Sequence, residues 1–154
     1  MILIDATDLI VGRLATFSAK KALQGEDIRI INAEEAIITG NKKDICKKYQ
    51  TLREKGEPFH GPFYPTRCEA ILKRMIRGML PHKRTKGREA LKRVKCYNKV
   101  PAEFKDKETI TIKEANVSKV LSTKYIKLRQ LSEFLKWKQH THQVKEKELL
   151  QGLQ

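Results

Sequence analysis

The stretch MILIDATDLIVGRLATFSAKKALQGEDIRII, Met1–Ile31, decides the fold. Its opening Met1–Ile4 is an apolar run of the length expected for a strand buried on both faces. Asp5–Asp8 supplies turn and cap formers, with Asp5 and Asp8 in that duty and not in acid–base work. Val11–Leu23 then reads as a helix. Val11, Ala15, Ala19 and Ala22 fall at i, i+4, i+8 and i+11 and form one narrow face of small side chains, which lets a helix lie close to a sheet. Gly25 ends that helix, and Ile28–Ile31 is a second short β-branched run. Strand, helix and strand within about thirty residues is the signature of a right-handed βαβ unit and a parallel sheet. Gly12 is expected to serve a tight strand-to-helix turn.

Working outward, Ile37 and Ile38 are expected to extend the edge of that sheet before Thr39-Gly40-Asn41 breaks the chain. Asn41 can cap a helix, with Asp44 in its first turn and Ile45, Tyr49 and Leu52 as its stripe. Lys42, Lys43, Lys47 and Lys48 flank the stripe. Lys55–Thr66 holds three prolines, two glycines and three aromatics, the composition of an ordered loop. Phe59, Phe63 and Tyr64 are expected to pin it to the body; stacking on RNA bases is the alternative.

Thr66-Arg67-Cys68-Glu69 matches a capping box and opens a helix to about Arg77, with Cys68, Leu72, Met75, Ile76 and Met79 inward and Gly78 at its end. A basic loop, Pro81–Lys86, precedes a short second helix after Gly87, anchored by Ala90, Leu91 and Val94. Val94–Asn98 is a candidate strand. Thr109–Ile112 alternates like an edge strand, and Ser118–Thr123 reads as loop. Leu128–Lys136 forms a last amphipathic helix, with Leu128, Leu131 and Leu135 inward and Trp137 covering the core. These elements make one α/β domain over residues 1–139, followed by a polar tail over residues 140–154.

Charge is unevenly spread. From Lys73 to Lys99 there are eleven Lys and Arg residues and one acid, Glu89, a balance of +10 within a chain of net charge +15. From Met1 to Gly40, by contrast, six acids stand against four Lys and Arg. A run this dense repels itself unless a polyanion neutralises it, and a phosphate backbone is the simplest such partner. Because its charges have no evident protein partner, Pro81–Lys86 is expected to be mobile without RNA. Helix-turn-helix, zinc-finger and RRM signatures are lacking, so shape and phosphate contacts are favoured over base reading.

Other functions find little support. The chain has a mean hydropathy of −0.56 and no long apolar run, so neither a membrane span nor a secretory signal is expected. Cys46, Cys68 and Cys96 are too few and too widely spaced for a disulfide framework or a zinc site and are read as packed thiols in a reducing setting. His140 and His142 lack further ligands. Thr39-Gly40-Asn41-Lys42-Lys43 is only a partial phosphate loop, since Glu35 stands where the first glycine belongs. No nucleophile has its base, and neither cofactor nor metal is expected. A small α/β enzyme acting on phosphate-bearing substrates, and a free RNA chaperone, are the alternatives to a structural RNA-binding protein.

Several stretches together are similar to the universal large-subunit ribosomal protein thirteen family: Leu9-Ile10-Val11-Gly12-Arg13-Leu14-Ala15, Ile31-Asn32-Ala33-Glu34, Ile38-Thr39-Gly40 and, most specifically, Arg77-Gly78-Met79-Leu80-Pro81-His82-Lys83. Lys86-Gly87-Arg88-Glu89-Ala90-Leu91 and Val94-Lys95-Cys96-Tyr97 extend the likeness over most of Met1–Pro101, with a weaker echo at Leu131–Lys138. His82 and the lack of a bacterial-style histidine-rich ending resemble the archaeal and eukaryotic branch, and the short length favours the archaeal. The resemblance implies a three-layer α/β/α fold around a small parallel sheet of about four strands, with a basic helix-loop-helix extension. It implies no enzymatic activity, a cytoplasmic place in the ribosome, large-subunit rRNA and neighbouring ribosomal proteins as partners, and early entry into subunit assembly. Carried onto this sequence, the rRNA contacts are Arg77, His82, Lys83, Arg84, Lys86 and Arg88, with Arg74, Lys92 and Arg93 beside them and Lys42 and Lys43 as a second patch.

Overall fold

The computed structural model describes residues 1–57, 59–119 and 124–136. The order is β1 (Ile2–Asp5), α1 (Val11–Leu23), β2 (Ile28–Ile31), β3 (Ile37–Thr39), α2 (Lys42–Glu54), α3 (Cys68–Gly78), α4 (Thr85–Arg93), β4 (Val94–Cys96), β5 (Tyr125–Lys127) and α5 (128–136). The expected βαβ unit is present, with β1 and β2 parallel, Ile2 opposite Ile28 and Ile4 opposite Ile30. β4 adds in parallel to the far side of β2, pairing Ile28 with Val94 and Ile30 with Cys96.

Because side chains alternate along a strand, this register puts Ile4, Ile28, Ile30 and Val94 on one face, all fully buried. α1 lays Val11, Leu14, Ala15, Ser18, Ala19 and Ala22 against the same core, and α3 and α4 pack against α1. α2 and α5 join it through Ile45, Cys46, Tyr49, Leu128, Leu131 and Leu135. The three inward leucines expected of the last helix are at most 1% exposed. The layers are unequal. On the other side of the sheet a small cluster of Leu3, Ile31 and Phe104, joined by Tyr97 and Val100, does the covering, while Lys95 is exposed there.

The α/β class stands, but the parallel sheet has three strands where about four were expected. β3 does not extend it; Ile37–Thr39 pairs antiparallel with Tyr125–Lys127 in a separate two-stranded sheet. Lys127 helps seat that pair by reaching Glu35 and, at 3.8 Å, Asp8. Thr109–Ile112 is not a strand. It contributes a single bridge, Ile110 to Ile4, in which the Ile110 amide donates to the Leu3 carbonyl at 2.8 Å and so covers part of the open edge of β1.

Three local expectations change for identifiable reasons. The capping box does not form: Arg67 occupies the cap position without a side-chain bond, and the Glu69 amide donates to Asn98 Oδ1 at 3.2 Å. Gly12 lies within the first turn of α1 with ordinary backbone angles; the left-handed residue of the β1–α1 connection is Asp8 (φ 55°). Gly87 is inside α4, not before it. By contrast Asn41 caps α2 as expected, accepting from the Lys43 amide at 3.4 Å. Trp137 and the polar tail lie outside the described residues.

Candidate nucleic-acid interface

The α3–α4 segment is assembled mainly by backbone and apolar contacts, which leaves its cations other than Arg74 and Arg93 without a hydrogen bond or ion pair among the described residues. α3 buries Cys68, Ile71, Leu72 and Ile76, while Met79, expected inward, is 43% exposed just past the helix end. The chain then turns tightly: the Leu80 amide donates to the Arg77 carbonyl at 3.2 Å and the Arg84 amide to the Pro81 carbonyl at 2.9 Å. α4 starts directly after this turn. Gly87 is buried against it so closely that a Cβ there would stand 2.1 Å from the Pro81 carbonyl oxygen. The expected mobile loop is therefore shorter than the sequence suggested and tied at both ends, because a glycine in the first turn of α4 admits the Pro81 backbone.

Lys83, Arg84, Lys86 and Arg88 are exposed on and around that first turn. The cap residue is Arg84, without a side-chain bond, and the first turn holds no acid. Cations at a helix N-terminus face the positive end of the macrodipole, a position that favours anions. Nothing in the described protein offsets this. Among the described residues the ion pairs are Met1–Glu26, Lys127–Asp8, Lys127–Glu35 and Arg129–Glu133, none of them within Lys73–Lys99. The Gly87 and Arg88 amides are taken by the Arg84 carbonyl, so the suitability of this surface for phosphate oxygens rests on the four exposed cations and on the positive end of the helix.

The other residues expected to touch RNA divide into distinct settings. Arg77 and Lys92 are exposed on α3 and α4, and His82 is partly buried in the turn between them. Arg74 and Arg93 are partly engaged: Arg74 Nη1 donates to the Phe63 carbonyl at 3.2 Å, and Arg93 Nη1 to the Ala22 carbonyl at 3.4 Å, at the end of α1. Both bonds join the basic helices to neighbouring elements. Lys42 and Lys43 are exposed on the first turn of α2. They line a shallow hollow with Cys46, Lys47, Gln50 and Phe134, which shares no residue with the α3–α4 segment.

Lys99 marks an edge of the cationic surface, since it lines a hollow of mixed charge with Glu34, Glu69 and Glu133. The thiols are packed, as expected. Burial pushes Cys96 up to about 12 against the opposing pull of Lys73, and burial likewise raises Cys46 and Cys68. Sequence reasoning missed the position of the loop aromatics. Tyr64 does pin the loop, edge-on to Tyr49 at 5.5 Å and beneath the Arg74 guanidinium at 4.5 Å. Phe59 and Phe63 do not; they are 90% and 72% exposed. The Gly-Pro pattern signals an ordered loop and carries no information on which way its rings face.

Ligands of open α/β sheets bind where the strand order reverses, whereas β1, β2 and β4 follow one another in a single direction. At the strand ends Asp5 Oδ1 accepts from the Thr7 amide, the Thr7 hydroxyl and Asn32 Nδ2, all within 3.0 Å, so this carboxylate is committed to holding the connections. No group of three or more metal-ligating side chains occurs among the described residues, and none of their helices is long and apolar enough to cross a membrane.

Comparison with known proteins agrees with the geometry. The family model for Ribosomal protein L13 matches residues 1–103. The chain is 50% identical over 134 residues to the large ribosomal subunit protein uL13 of Methanosarcina barkeri, covering 86% of this chain and 96% of that protein. It is 48% identical over 139 residues to the protein of the same name from Methanocaldococcus jannaschii, covering 88% and 97%. With the one from Picrophilus torridus it shares 45% identity over 135 residues, covering 88% and 96%. The exposed cations at the start of α4, which have no ion-pair partner among the described residues, fit what these matches show: the chain belongs to the archaeal branch of the ribosomal protein L13 family, whose members are structural and not enzymes.

Proposed function

We propose that this protein is a structural constituent of the large ribosomal subunit that binds large-subunit rRNA through the α3–α4 face and supports early subunit assembly. The observation that carries the reading is the first turn of α4, where Lys83, Arg84, Lys86 and Arg88 stand exposed without a paired carboxylate among the described residues. Arg77, His82 and Lys92 continue that contact surface. Arg74 and Arg93 contribute the donors they do not give to backbone carbonyls, and Lys42 and Lys43 provide a separate contact. The one α/β unit over residues 1–139 acts as a rigid support, with adjoining ribosomal proteins meeting its remaining surfaces. Arg suits forked contacts to phosphate and Lys a mobile point charge, so the mixture serves backbone recognition.

The test is the salt dependence of binding to large-subunit rRNA by the wild type and by R84A/K86A/R88A. The slope of log affinity against log salt should fall by about 0.7–0.9 for each phosphate that is no longer neutralised, roughly two to three units if all three residues touch phosphate. Thermal stability should hold or rise slightly at low salt, because the three side chains make no bond within the described protein and repel one another. Equal slopes for the two proteins would remove this face from the interface.

A further inference from the structure

We infer that the loop between α2 and α3 is a stacking platform for an unpaired RNA base, with Phe63 as its main ring and Phe59 as a second. Two phenylalanines of one short loop are 90% and 72% exposed, although the core nearby accepts Tyr64 from the same loop. Their exposure is built, not incidental. The His60 and Gly61 amides both donate to the Glu57 carbonyl, at 3.3 and 3.0 Å, closing the turn that precedes Phe63. Gly61 lies against the Cδ2–Cε2 edge of the Phe63 ring, where a Cβ would stand 2.8 Å away. On the other side the Phe63 carbonyl is held by Arg74, whose guanidinium also covers Tyr64. The ring is thus fixed along one edge and from its backbone while most of it faces solvent, and such preorganisation lowers the cost of binding.

The setting selects the partner. Phe63 lines a hollow with Lys55, Glu57 and Arg53, whose Nη1 donates to the Leu135 carbonyl at 2.7 Å. Its anchor Arg74 lies on the same helix as Arg77. Two cations thus face one acid around the ring. Exposed aromatic faces among cations match a nucleobase attached to its phosphates, since every base offers a π-face and a neighbouring negative charge. A base inside a duplex cannot reach such a ring, so the ligand must be an unpaired nucleotide. The platform joins the phosphate face through Arg74, and this inference rests on the RNA-binding reading of that face.

The experiment compares binding of two RNA hairpins of equal length, one fully paired and one carrying bulged adenines, across a salt series. The wild type should prefer the bulged RNA. F59L/F63L, which keeps apolar bulk and removes the π-faces, should lose that preference by about 5- to 150-fold, the range for one base–aromatic stack. Its salt slope should be unchanged because every phosphate-binding cation remains, and F59W/F63W should keep the preference. R84A/K86A/R88A should do the reverse, lowering the slope and retaining the preference. A leucine variant that still prefers the bulge would overturn the inference and leave the rings as a surface for a protein neighbour. A wild type without preference but with a steep salt slope would also overturn it while sparing the phosphate face. A wild type without salt-dependent binding would remove both.

Discussion

Met1–Gly40 and Lys73–Lys99 are folded by the same means and charged by opposite logic. In the first region acids and bases are nearly balanced, and polar groups find partners inside the protein: Asp5 with Thr7 and Asn32, and Asp8 and Glu35 with Lys127. In the second, helices α3 and α4 are held by Ile71, Leu72, Ile76 and Ala90, all fully buried, and by the seat of Gly87 on Pro81. Its charged groups are seen to contribute to that packing through Arg74 and Arg93, which bind carbonyl oxygens, and through the Arg74 guanidinium lying over Tyr64. The difference teaches that cohesion and recognition use separate chemistry here. The fold tolerates an unneutralised surface because apolar burial, at about 25 cal/mol per Å², outweighs repulsion between exposed charges screened by water and salt.

If that division is right, a change of one methyl group beneath the basic face should matter more than loss of a surface ion pair in the body. Gly87→Ala is the larger effect. Helix propensity favours alanine by about 1 kcal/mol, whereas overpacking costs about 1–3 kcal/mol and more when the obstacle is backbone. With the Pro81 oxygen at 2.1 Å from the added carbon, the overlap wins, and the urea midpoint should fall. A midpoint that rises would show that α4 is not seated on the turn.

Lys127→Met should cost less, about 0.2–1 kcal/mol, as exposed pairs do. Its dependence on pH has a defined sign. The hydrogen bond to Glu35 raises the Lys127 pKa above its ordinary 10.5, opposed next by desolvation and helped further by the negative charges of Glu35 and Asp8. The stabilisation is therefore complete below that ordinary value and disappears as pH rises through the folded pKa. Wild type and variant should differ in denaturant midpoint at pH 7 and converge in strong alkali; a difference that persists there would assign the effect to packing of the aliphatic stem.

Much of this molecule is legible without coordinates, for local reasons. The faces of α1 and α5 repeat at helical spacing, and β1 and β2 are short apolar runs on either side of α1, so their assignment needs no distant partner. The density of charge over Lys73–Lys99 is equally visible, and among the described residues the fold brings no paired carboxylate to cancel it. What escaped depends on residues far apart in the chain. Ile37–Thr39 resembles an edge of the main sheet until Tyr125–Lys127 arrives to pair with it. Thr66 looks like a cap, but Asn98 supplies the bond. Gly87 resembles a helix boundary for a more local reason, since the close approach of the Pro81 backbone, which requires glycine, depends on the conformation of the turn between them and not on periodicity. Phe59 and Phe63 were expected to pack as aromatics usually do, and composition carries no sign of which way a ring points.

The central claim is that the charge of the α3–α4 face finds its partner in RNA and not in the protein. Lysine acetylation mapped in the free protein and in assembled large subunits tests it most directly. Lys83, Lys86 and Lys92 should be modified readily in the free protein and protected in the subunit, with Lys83 and Lys86, at the first turn of α4, protected most strongly. Equal modification of Lys83 and Lys86 in both states would contradict the account.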